Sequence, residues 1–305
     1  MRAAVFAYHD VGCMGVRVLR RLGVDVARVY THDDDPNENH WYGSVAKTCA
    51  ELGVTCTVAD PHLPEEMDAI RRAAPDAIFS LYYRNMIKDP VLAIPRHGAV
   101  NLHGSFLPRY RGRAPVNWML LHGETQGGVT LHYMVKKADA GDIVDQEAFA
   151  IGPDETGKDV YSKMLPAAER VLERSAALVL SGTAPRTLLM ESKATYFSRR
   201  RPEDGRIEWR WSAEDVRNLV RAVTHPYPGA FTSASGRQVM VWWTERTGET
   251  KIADAGTVVR NGDGVFVVCG DRRLLKLARV GIDGREGDPQ DFADLFRDGT
   301  QLGGV

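Results

Sequence analysis

The chain has 305 residues, 44% of them hydrophobic, and its 39 basic and 40 acidic side chains leave a net charge of −1. A chain of this length can bury a large core, most simply in two domains, and its balanced charge argues against nucleic acid as a partner. The four cysteines form no C-x-x-C pair, and neither a signal-peptide pattern nor a long apolar run is present, so we expect a cytoplasmic protein without disulfides, metal or membrane insertion.

The first part of the chain alternates strand-like and helix-like segments. Buried strands are predicted over residues 3–8, 24–30, 55–58 and 77–81. Helices are predicted to begin near Gly12, to cover 43–52 with Ser44 as N-cap, and to cover 64–73. This alternation predicts an α/β fold with a doubly wound, mostly parallel sheet.

Two features after the first predicted strand resemble parts of ligand sites. Gly12 and Gly15 could let a pyrophosphate approach a helix N-terminus, but the G-x-G-x-x-G fingerprint is missing, which argues against a dinucleotide site. His9, His32 and His40 show no metal-ligand spacing on one face, and we interpret them as loop histidines.

The second part of the chain changes character. A long helix is predicted over 156–181, ended by Gly182, and a further helix over 213–223. The segment 191–210 is interpreted as a linker between a domain at 1–190 and a second at 211–305. Short strands predicted at 238–247, 256–259, 265–269 and 274–280 indicate that the second domain is a small β-barrel.

A strand-like run carries the most informative pair of side chains. Asn101 and His103 are two residues apart, so on a strand both point to one face. A second strand-like run over 129–135 leads to Asp139 in a loop. An amide, an imidazole and a carboxylate that meet can move a proton and hold an oxyanion, which predicts an acyl-transfer site. A lone histidine at a strand end is more often structural, but the C-terminal end of a parallel strand is where α/β folds bind ligands.

The loop after this strand is basic. Arg109, Arg111 and Arg113 lie within five positions and would suit an anionic substrate. The alternative is a solvated basic loop without a ligand.

The motif Asn101-x-His103-x-Ser105-x-Leu107-Pro108-x-Tyr110-x-Gly112, with Asp139 downstream, closely resembles the signature of the 10-formyltetrahydrofolate-dependent formyltransferases. Residues 6–10, 42–46, 82–84, 111–118, 220–223 and 226–231 resemble the ArnA-type branch, which formylates UDP-4-amino-4-deoxy-L-arabinose in polymyxin resistance through lipid A modification. The resemblance spans nearly the whole chain and is weakest after Met240. It implies a Rossmann-like N-terminal domain and an OB-like C-terminal barrel, here in a stand-alone enzyme.

The resemblance also implies a role for individual residues. His103 is the acid/base, Asn101 stabilises the oxyanion, and Asp139 holds His103 and favours its charged form. Arg113 matches a position that contacts ligand, here taken as substrate-binding. The backbone of two segments is implied to bind 10-formyltetrahydrofolate, namely Asn85, Met86 and Ile87 together with Val135, Lys136, Lys137 and Ala138.

Several alternatives remain open at this stage. The acceptor could be another nucleotide-linked amino sugar. Methionyl-tRNA is disfavoured, because the loop 31–42 has four acidic residues and no Lys or Arg and would repel a polyanion. Hydrolysis of the formyl-folate could use the same three residues, whereas a binding module would not need all of them. The oligomeric state is left open.

Overall fold

The computed structural model describes residues 1–34, 36 and 39–303. Asp35, Asn37 and Glu38 of the acidic loop lie outside the described residues, as do the last two residues of the chain. The chain divides into two compact units. Unit one contains Met1–Pro115, Gln126–Ala150 and Tyr161–Ser198, and unit two contains Val116–Thr125, Ile151–Val160 and Arg199–Val305.

Strands and helices are numbered in chain order. The strands are β1 (Arg2–Ala7), β2 (Asp25–Tyr30), β3 (Cys56–Thr57), β4 (Ala77–Leu81), β5 (Ala99–His103), β6 (Arg111–Gly112), β7 (Gln126–Tyr133), β8 (Ile143–Ala150), β9 (Tyr196–Phe197), β10 (Ala230–Ala234), β11 (Arg237–Thr250), β12 (Val258–Asn261), β13 (Gly264–Val268), β14 (Arg273–Ile282) and β15 (Arg285–Gly287). The α-helices are α1 (His9–Arg21), α2 (Val45–Glu51), α3 (Pro64–Ala73), α4 (Asp89–Leu92), α5 (Pro115–Leu121), α6 (Gly157–Ser181) and α7 (Ala213–Val223). The predicted bounds of α3, β4 and α7 are confirmed residue for residue.

Unit one is built on a mixed sheet. Its strand order, over the described part of the chain, is β3-β2-β1-β4-β5-β7-β8. The first five of these strands run parallel, and β7 and β8 extend the sheet in antiparallel fashion. The chain winds outward from β1 in both directions, so the ends of β1 and β4 meet where the strand order reverses. The predicted doubly wound, mostly parallel sheet is confirmed.

The central strands form because their sequences are continuously apolar. Every residue of β4 is buried, as are all residues of β1 after Arg2. Such runs suit a parallel strand that helices cover on both faces. Phe6 of β1 stacks on Tyr30 of β2 with ring centroids 4.8 Å apart, and both belong to the buried core.

Short-range signals set several helix ends. Ser44 caps α2, its hydroxyl accepting the Lys47 N–H at 3.4 Å, and Pro64 occupies the first turn of α3, where no N–H partner is needed. Gly182 follows α6 with a φ of 73°, the left-handed conformation that glycine adopts without strain. These caps agree with the predicted elements.

Unit two contains the predicted antiparallel β structure. Its strands follow the order β10-β11-β14-β13-β12, with β15 beside β14, among the described residues. Neighbouring strands pair antiparallel throughout this sheet. The smaller C-terminal β unit of the predicted fold class is therefore confirmed.

Unit two also gathers two segments from earlier in the chain, because α7 binds them through polar contacts. Asn117 Nδ2 donates to the Ala222 carbonyl at 2.6 Å, and Arg221 Nη1 donates to the Glu155 carbonyl at 3.2 Å. Both helix residues are buried. Unit two is therefore not one continuous stretch of the chain, as boundaries at 190 and 211 would make it. The predicted domain boundaries stay a prediction.

The segment interpreted as a linker is partly folded. Tyr196–Phe197 form β9, which pairs with β6 inside unit one. Short 3₁₀ helices cover Glu191–Lys193 and Pro202–Gly205 on either side. Residues 191–198 of the predicted linker therefore belong to the same unit as the predicted site.

Candidate active site

Strand β5 positions the predicted amide and imidazole. Asn101 and His103 lie on the same face because side chains alternate along a strand. His103 is buried, whereas Asn101 is only partly buried. The pair therefore combines an imidazole that is shielded from solvent with an amide that is partly accessible to solvent.

The antiparallel neighbour β7 adds a second histidine that sequence reasoning did not single out. Its register places His132 directly opposite Asn101. Asn101 Nδ2 lies 3.2 Å from His132 Nε2, and His132 Nδ1 lies 2.9 Å from the Tyr133 carbonyl oxygen. His132 is fully enclosed, with 2% of its surface exposed.

Asp139 lies at the centre of these side chains. Its Oδ1 is 3.7 Å from His103 Nδ1 and 3.5 Å from His132 Nε2, and its Oδ2 accepts the Gly112 N–H at 2.8 Å. Burial raises the pKa of the Asp139 carboxyl, but the nearby His103 and His132 and the Gly112 N–H together lower it well below its usual range. Asp139 therefore stays a carboxylate near two imidazoles.

The turn after β5 completes the environment of His103. Its Nε2 donates to the Tyr110 carbonyl oxygen at 2.8 Å. The hydroxyl of Ser105 donates to the Arg109 carbonyl at 2.7 Å, which tightens the turn. Thr130 of β7 fixes its other side, since its hydroxyl donates to the Ser105 carbonyl and accepts the Leu107 N–H.

Gly112 is required by two independent features. Its φ is 95°, and a Cβ at this position would come within 2.2 Å of the Phe197 carbonyl oxygen in β9. Tyr110 stacks on Phe197 with ring centroids 5.2 Å apart. The close approach of β6 to β9 thus holds both the Tyr110 carbonyl and the Gly112 N–H at the site.

The expectation that three arginines face an anionic substrate is wrong for Arg111. The pairing of β6 with β9 turns this side chain inward, where 2% of its surface is exposed. Both of its terminal nitrogens donate to Glu191 at 3.0 Å. Arg113 is exposed and its Nη2 donates to the Arg84 carbonyl at 2.6 Å.

The residues expected at the folate site lie on two segments of unit one. Asn85 and Met86 are exposed, and Ile87 is buried in a core cluster against which Met134 also packs. On the second segment, Val135, Lys136 and Lys137 are exposed and Ala138 is partly buried. Met86 and Val135 present unusually exposed apolar side chains. Lys137 Nζ lies 3.5 Å from Glu191 Oε2.

An aromatic cluster, defined as Tyr8, His9, Trp41, Tyr42 and Tyr161, lies where β1 ends. The His9 ring stacks on Tyr42 with centroids 3.7 Å apart, and its Nδ1 contacts the Tyr161 hydroxyl. Trp41 meets the His9 ring edge to face at 4.9 Å. Burial first, and the Arg84 guanidinium second, lower the pKa of His9 to about 3. The His9 imidazole is therefore neutral at physiological pH.

Of the three histidines interpreted as loop residues, His9 belongs to a helix, whereas His32 and His40 lie in loops as predicted. His9 begins α1 with a φ of 64° and lies inside the aromatic cluster. His32 stacks on Tyr83 with centroids 4.2 Å apart, and its Nε2 accepts the Arg84 N–H at 3.0 Å. His40 is an exposed loop residue, as predicted. The spacing of residues along the chain could not predict these contacts, because the aromatic rings come from the ends of separate strands.

Arginine side chains border the aromatic cluster. The Arg84 guanidinium lies 4.5 Å from the centre of the Tyr8 ring, and the Tyr8 hydroxyl donates to Asp34 at 3.0 Å. Arg113 reaches the same backbone through its bond to the Arg84 carbonyl. This edge of the sheet therefore combines flat ring surfaces with positive charge.

The arrangement around Asp139 can perform acyl-transfer chemistry. An amide N–H can stabilise a developing oxyanion, and an imidazole beside a buried carboxylate can take up and release a proton. Within the described residues, no three His, Cys, Asp or Glu side chains are grouped as metal ligands. No helix in the described part of the chain is long and apolar enough to cross a membrane.

Solved structures with the same fold include sugar N-formyltransferases. The N-formyltransferase from Helicobacter canadensis, in complex with folinic acid and dTDP-3-aminofucose, is 17% identical, has a TM-score of 0.69 and covers 90% of this chain and 98% of its own. WlaRD, a sugar 3N-formyltransferase in the presence of dTDP and 5-N-formyl-THF, is 16% identical, with a TM-score of 0.69 over 93% of this chain and 98% of its own. HypX from Aquifex aeolicus with tetrahydrofolic acid is 16% identical, with a TM-score of 0.62 over 97% of this chain and 47% of its own.

Two family models match the sequence itself. The formyl transferase model matches residues 18–175, and the formyl transferase C-terminal domain model matches residues 200–297. The first match contains the Asn101 motif and Asp139 and the strands of the first sheet after β1, and the second match contains the C-terminal sheet. The resemblance inferred from the motif is confirmed at this level, and the chain belongs to the formyl transferase family.

Proposed function

We propose that this protein transfers the formyl group of 10-formyltetrahydrofolate to the amino group of a nucleotide-linked amino sugar, with UDP-4-amino-4-deoxy-L-arabinose as the first candidate acceptor. The observation that carries the proposal is the meeting of Asn101, His103 and Asp139 at one end of β5. Structures of the same fold belong to sugar N-formyltransferases, one of which was solved with dTDP-3-aminofucose. We place the reaction in the cytoplasm.

The folate supplies an activated formyl group. In the transfer, the amine nitrogen bonds to the formyl carbon, the bond from that carbon to the folate nitrogen breaks, and one proton moves overall from the amine to the folate nitrogen. His103 carries this proton. During the transfer, its Nε2 gives up the hydrogen bond to the Tyr110 carbonyl and bonds to the reacting nitrogen instead. Asp139 stabilises the protonated imidazole, and an Asn101 N–H stabilises the negative charge on the formyl oxygen.

Two exposed segments fit the folate. The apolar side chains of Met86 and Val135 would contact a flat heterocycle, while the backbone from Asn85 to Ile87 and from Val135 to Ala138 would bind its polar edge. Burial of the Ile87 side chain is consistent with a backbone role for that residue. Lys136 and Lys137 are exposed cations that suit an anionic tail.

The aromatic cluster and its arginines fit the nucleotide of the acceptor. A base can stack on the partly buried rings of Trp41 and Tyr42, and the guanidinium groups of Arg84 and Arg113 suit a diphosphate. A neutral His9 adds no charge of its own to this surface. We assign Arg113 to substrate binding on this basis.

A direct assay tests the proposal and its alternatives together. The wild-type protein and a His103→Ala variant are incubated with 10-formyltetrahydrofolate and, separately, UDP-4-amino-4-deoxy-L-arabinose, dTDP-3-aminofucose, methionyl-tRNA or water, and formylated products are measured by mass spectrometry. We expect transfer to the UDP-pentose that His103→Ala abolishes. Transfer only to another nucleotide amino sugar would change the acceptor, whereas transfer only to tRNA or to water would contradict the proposal.

The pH dependence gives a second test of the same chemistry. Only a neutral amine has the lone pair that attacks the formyl carbon, so the rate should fall as the solution becomes acidic. A pH-rate profile that stays flat from acid to neutral pH would contradict attack by an amine.

A further inference from the structure

Three polar side chains line up across the strands that carry the site. The strand register places Thr130 of β7 opposite His103 of β5, and Gln146 of β8 opposite Thr130. Residues paired in this way point to the same face of a sheet, so Gln146 lies on the face of His103, two strands away. Thr130 is fully buried and Gln146 is partly buried. The proposed transfer leaves Gln146 without a role.

The Thr130 hydroxyl makes every hydrogen bond that its chemistry allows. It donates to the Ser105 carbonyl at 2.7 Å, and it accepts from the Leu107 N–H at 3.0 Å and from Gln146 Nε2 at 2.8 Å. A hydroxyl has one hydrogen and two lone pairs, and all three are used here. Gln146 Nε2 also donates to the Leu107 carbonyl at 2.9 Å. Both side chains therefore hold the first half of the turn that follows β5.

The second half of this turn carries the hydrogen-bond partner of His103, whose Nε2 donates to the Tyr110 carbonyl at 2.8 Å. Thr195 fixes that end, because its hydroxyl accepts the Tyr110 N–H at 2.8 Å and its own N–H donates to the Pro108 carbonyl at 3.3 Å. Ser105 links the two halves, since its hydroxyl lies 3.3 Å from the Tyr110 carbonyl oxygen. A shift in the first half of the turn would therefore move the acceptor that orients the His103 ring.

We propose that Gln146 and Thr130 are positioning residues that hold the turn over residues 105–110, and with it the Tyr110 carbonyl that orients the His103 imidazole for proton transfer. The proposal rests on the proposed function, because His103 carries the proton in that reaction. Thr130 has no exposed surface, so it acts through the turn that it binds. Removing either side chain's hydrogen bonds leaves buried polar groups of the turn unpaired, which favours a displaced turn.

Two substitutions of Thr130 separate hydrogen bonding from packing. Thr130→Val keeps the shape of the side chain and removes the hydroxyl, whereas Thr130→Ser keeps the hydroxyl and removes a methyl group. A residue that only fills space would tolerate Val better than Ser, because Ser leaves a cavity. A hydroxyl that positions the turn gives the opposite order, because Val leaves its partners unpaired.

Steady-state kinetics at varied folate and acceptor concentrations measure this order. We expect Thr130→Val to lower kcat about 30-fold and Thr130→Ser to keep it within about threefold, since displaced catalytic groups are costly. Gln146→Met, which removes the amide at similar length, should lower kcat about tenfold with both KM values within about threefold of wild type. Gln126→Met, at an exposed position of β7, is the matched control and should behave like wild type.

An NMR measurement does not depend on activity. The His103 ring N–H that donates to the Tyr110 carbonyl should give a slowly exchanging proton signal, assigned by its loss in His103→Ala. We expect this proton to exchange with water at least about tenfold faster in Gln146→Met and Thr130→Val, and at about the wild-type rate in Thr130→Ser and Gln126→Met.

Retention of the wild-type kcat or of the wild-type exchange rate by Gln146→Met would overturn the proposal. A larger loss of kcat in Thr130→Ser than in Thr130→Val would overturn it as well, since packing would then decide. A wild-type protein that formylates no amino sugar would contradict the proposed function instead. Proton exchange would still show whether the two residues hold His103, so the two failures are distinguishable.

Discussion

Unit one holds histidines in two environments of opposite charge, one beside the Asp139 carboxylate and one in the aromatic cluster beside a guanidinium. His103 and His132 lie 3.7 and 3.5 Å from the same oxygen of Asp139. His9 stacks on Tyr42. Burial and the Arg84 guanidinium lower its pKa to about 3, even though Asp10 Oδ2 lies 3.5 Å from its Nδ1. One environment provides a buried negative charge for a moving proton, and the other keeps an imidazole neutral.

On the proposed function, this difference separates the residues that carry out the transfer from those that bind the acceptor. The Asp139 side chain, 12% exposed, offers a counter-charge where a proton must be transferred. The aromatic cluster offers stacking surface next to guanidinium groups, which suits a nucleotide. If the separation is correct, substitutions in the first region change kcat and those in the second change KM.

The largest expected effect concerns the proton carrier and its counter-charge. His103→Ala and Asp139→Asn should each lower kcat about 1000-fold, because general acid–base catalysis is lost. Steady-state kinetics at saturating substrates measure this, and His122→Ala serves as the control. Retention of more than about a tenth of wild-type kcat in a variant would show that the residue replaced in it is not essential to the proton transfer.

The next effect concerns the loop that connects β6 to the site. Gly112→Ala introduces a Cβ 2.2 Å from the Phe197 carbonyl oxygen and should displace the N–H that binds Asp139. Since small misplacements of catalytic groups are costly, we expect kcat to fall about 100-fold. Gly248→Ala, whose Cβ would meet nothing within 4 Å, should behave like wild type in the same assay. Equal activities of the two variants would show that the β6 loop does not hold the site.

The last expected effect concerns stability in acid rather than activity. The unfolded chain protonates His9 near its ordinary pKa of about 6.5, whereas the folded chain resists protonation until about pH 3. Between these values the unfolded state binds more protons, so the free energy of unfolding falls by about 1.4 kcal/mol for each unit of decreasing pH.

The variant His9→Asn removes this contribution while keeping a residue that tolerates the positive φ of the position. Denaturant unfolding of both proteins between about pH 6 and pH 4 should show a flatter pH dependence for the variant, even if it is less stable at neutral pH. Parallel curves would mean that His9 takes up a proton without cost in the folded state.

Much of this structure could be predicted from local patterns in the sequence. The apolar run of β4, the Ser44 cap and the two-residue spacing of Asn101 and His103 each depend on neighbours within a few positions. Such features follow from backbone periodicity and capping alone. The family followed from a longer motif, and the particular sugar stays a proposal.

Contacts between distant segments could not be predicted in the same way. His132 becomes the partner of Asn101 only through the antiparallel register of β5 and β7. Arg111 is buried because β6 pairs with β9, which lies within a segment that looked like a charged linker. The alternation of residues 129–135 was the available signal for His132, since it places that side chain on a defined face of the strand.

The most direct test of the separation is a comparison of Asn101→Ala with Tyr42→Ala in formyl transfer to the acceptor identified by the panel assay. We expect Asn101→Ala to lower kcat about 100-fold with acceptor KM nearly unchanged, and Tyr42→Ala to raise acceptor KM about tenfold with kcat nearly unchanged. If Tyr42→Ala lowers kcat as much as Asn101→Ala does and leaves KM unchanged, the aromatic cluster is part of the reaction chemistry and the division between the two regions is wrong.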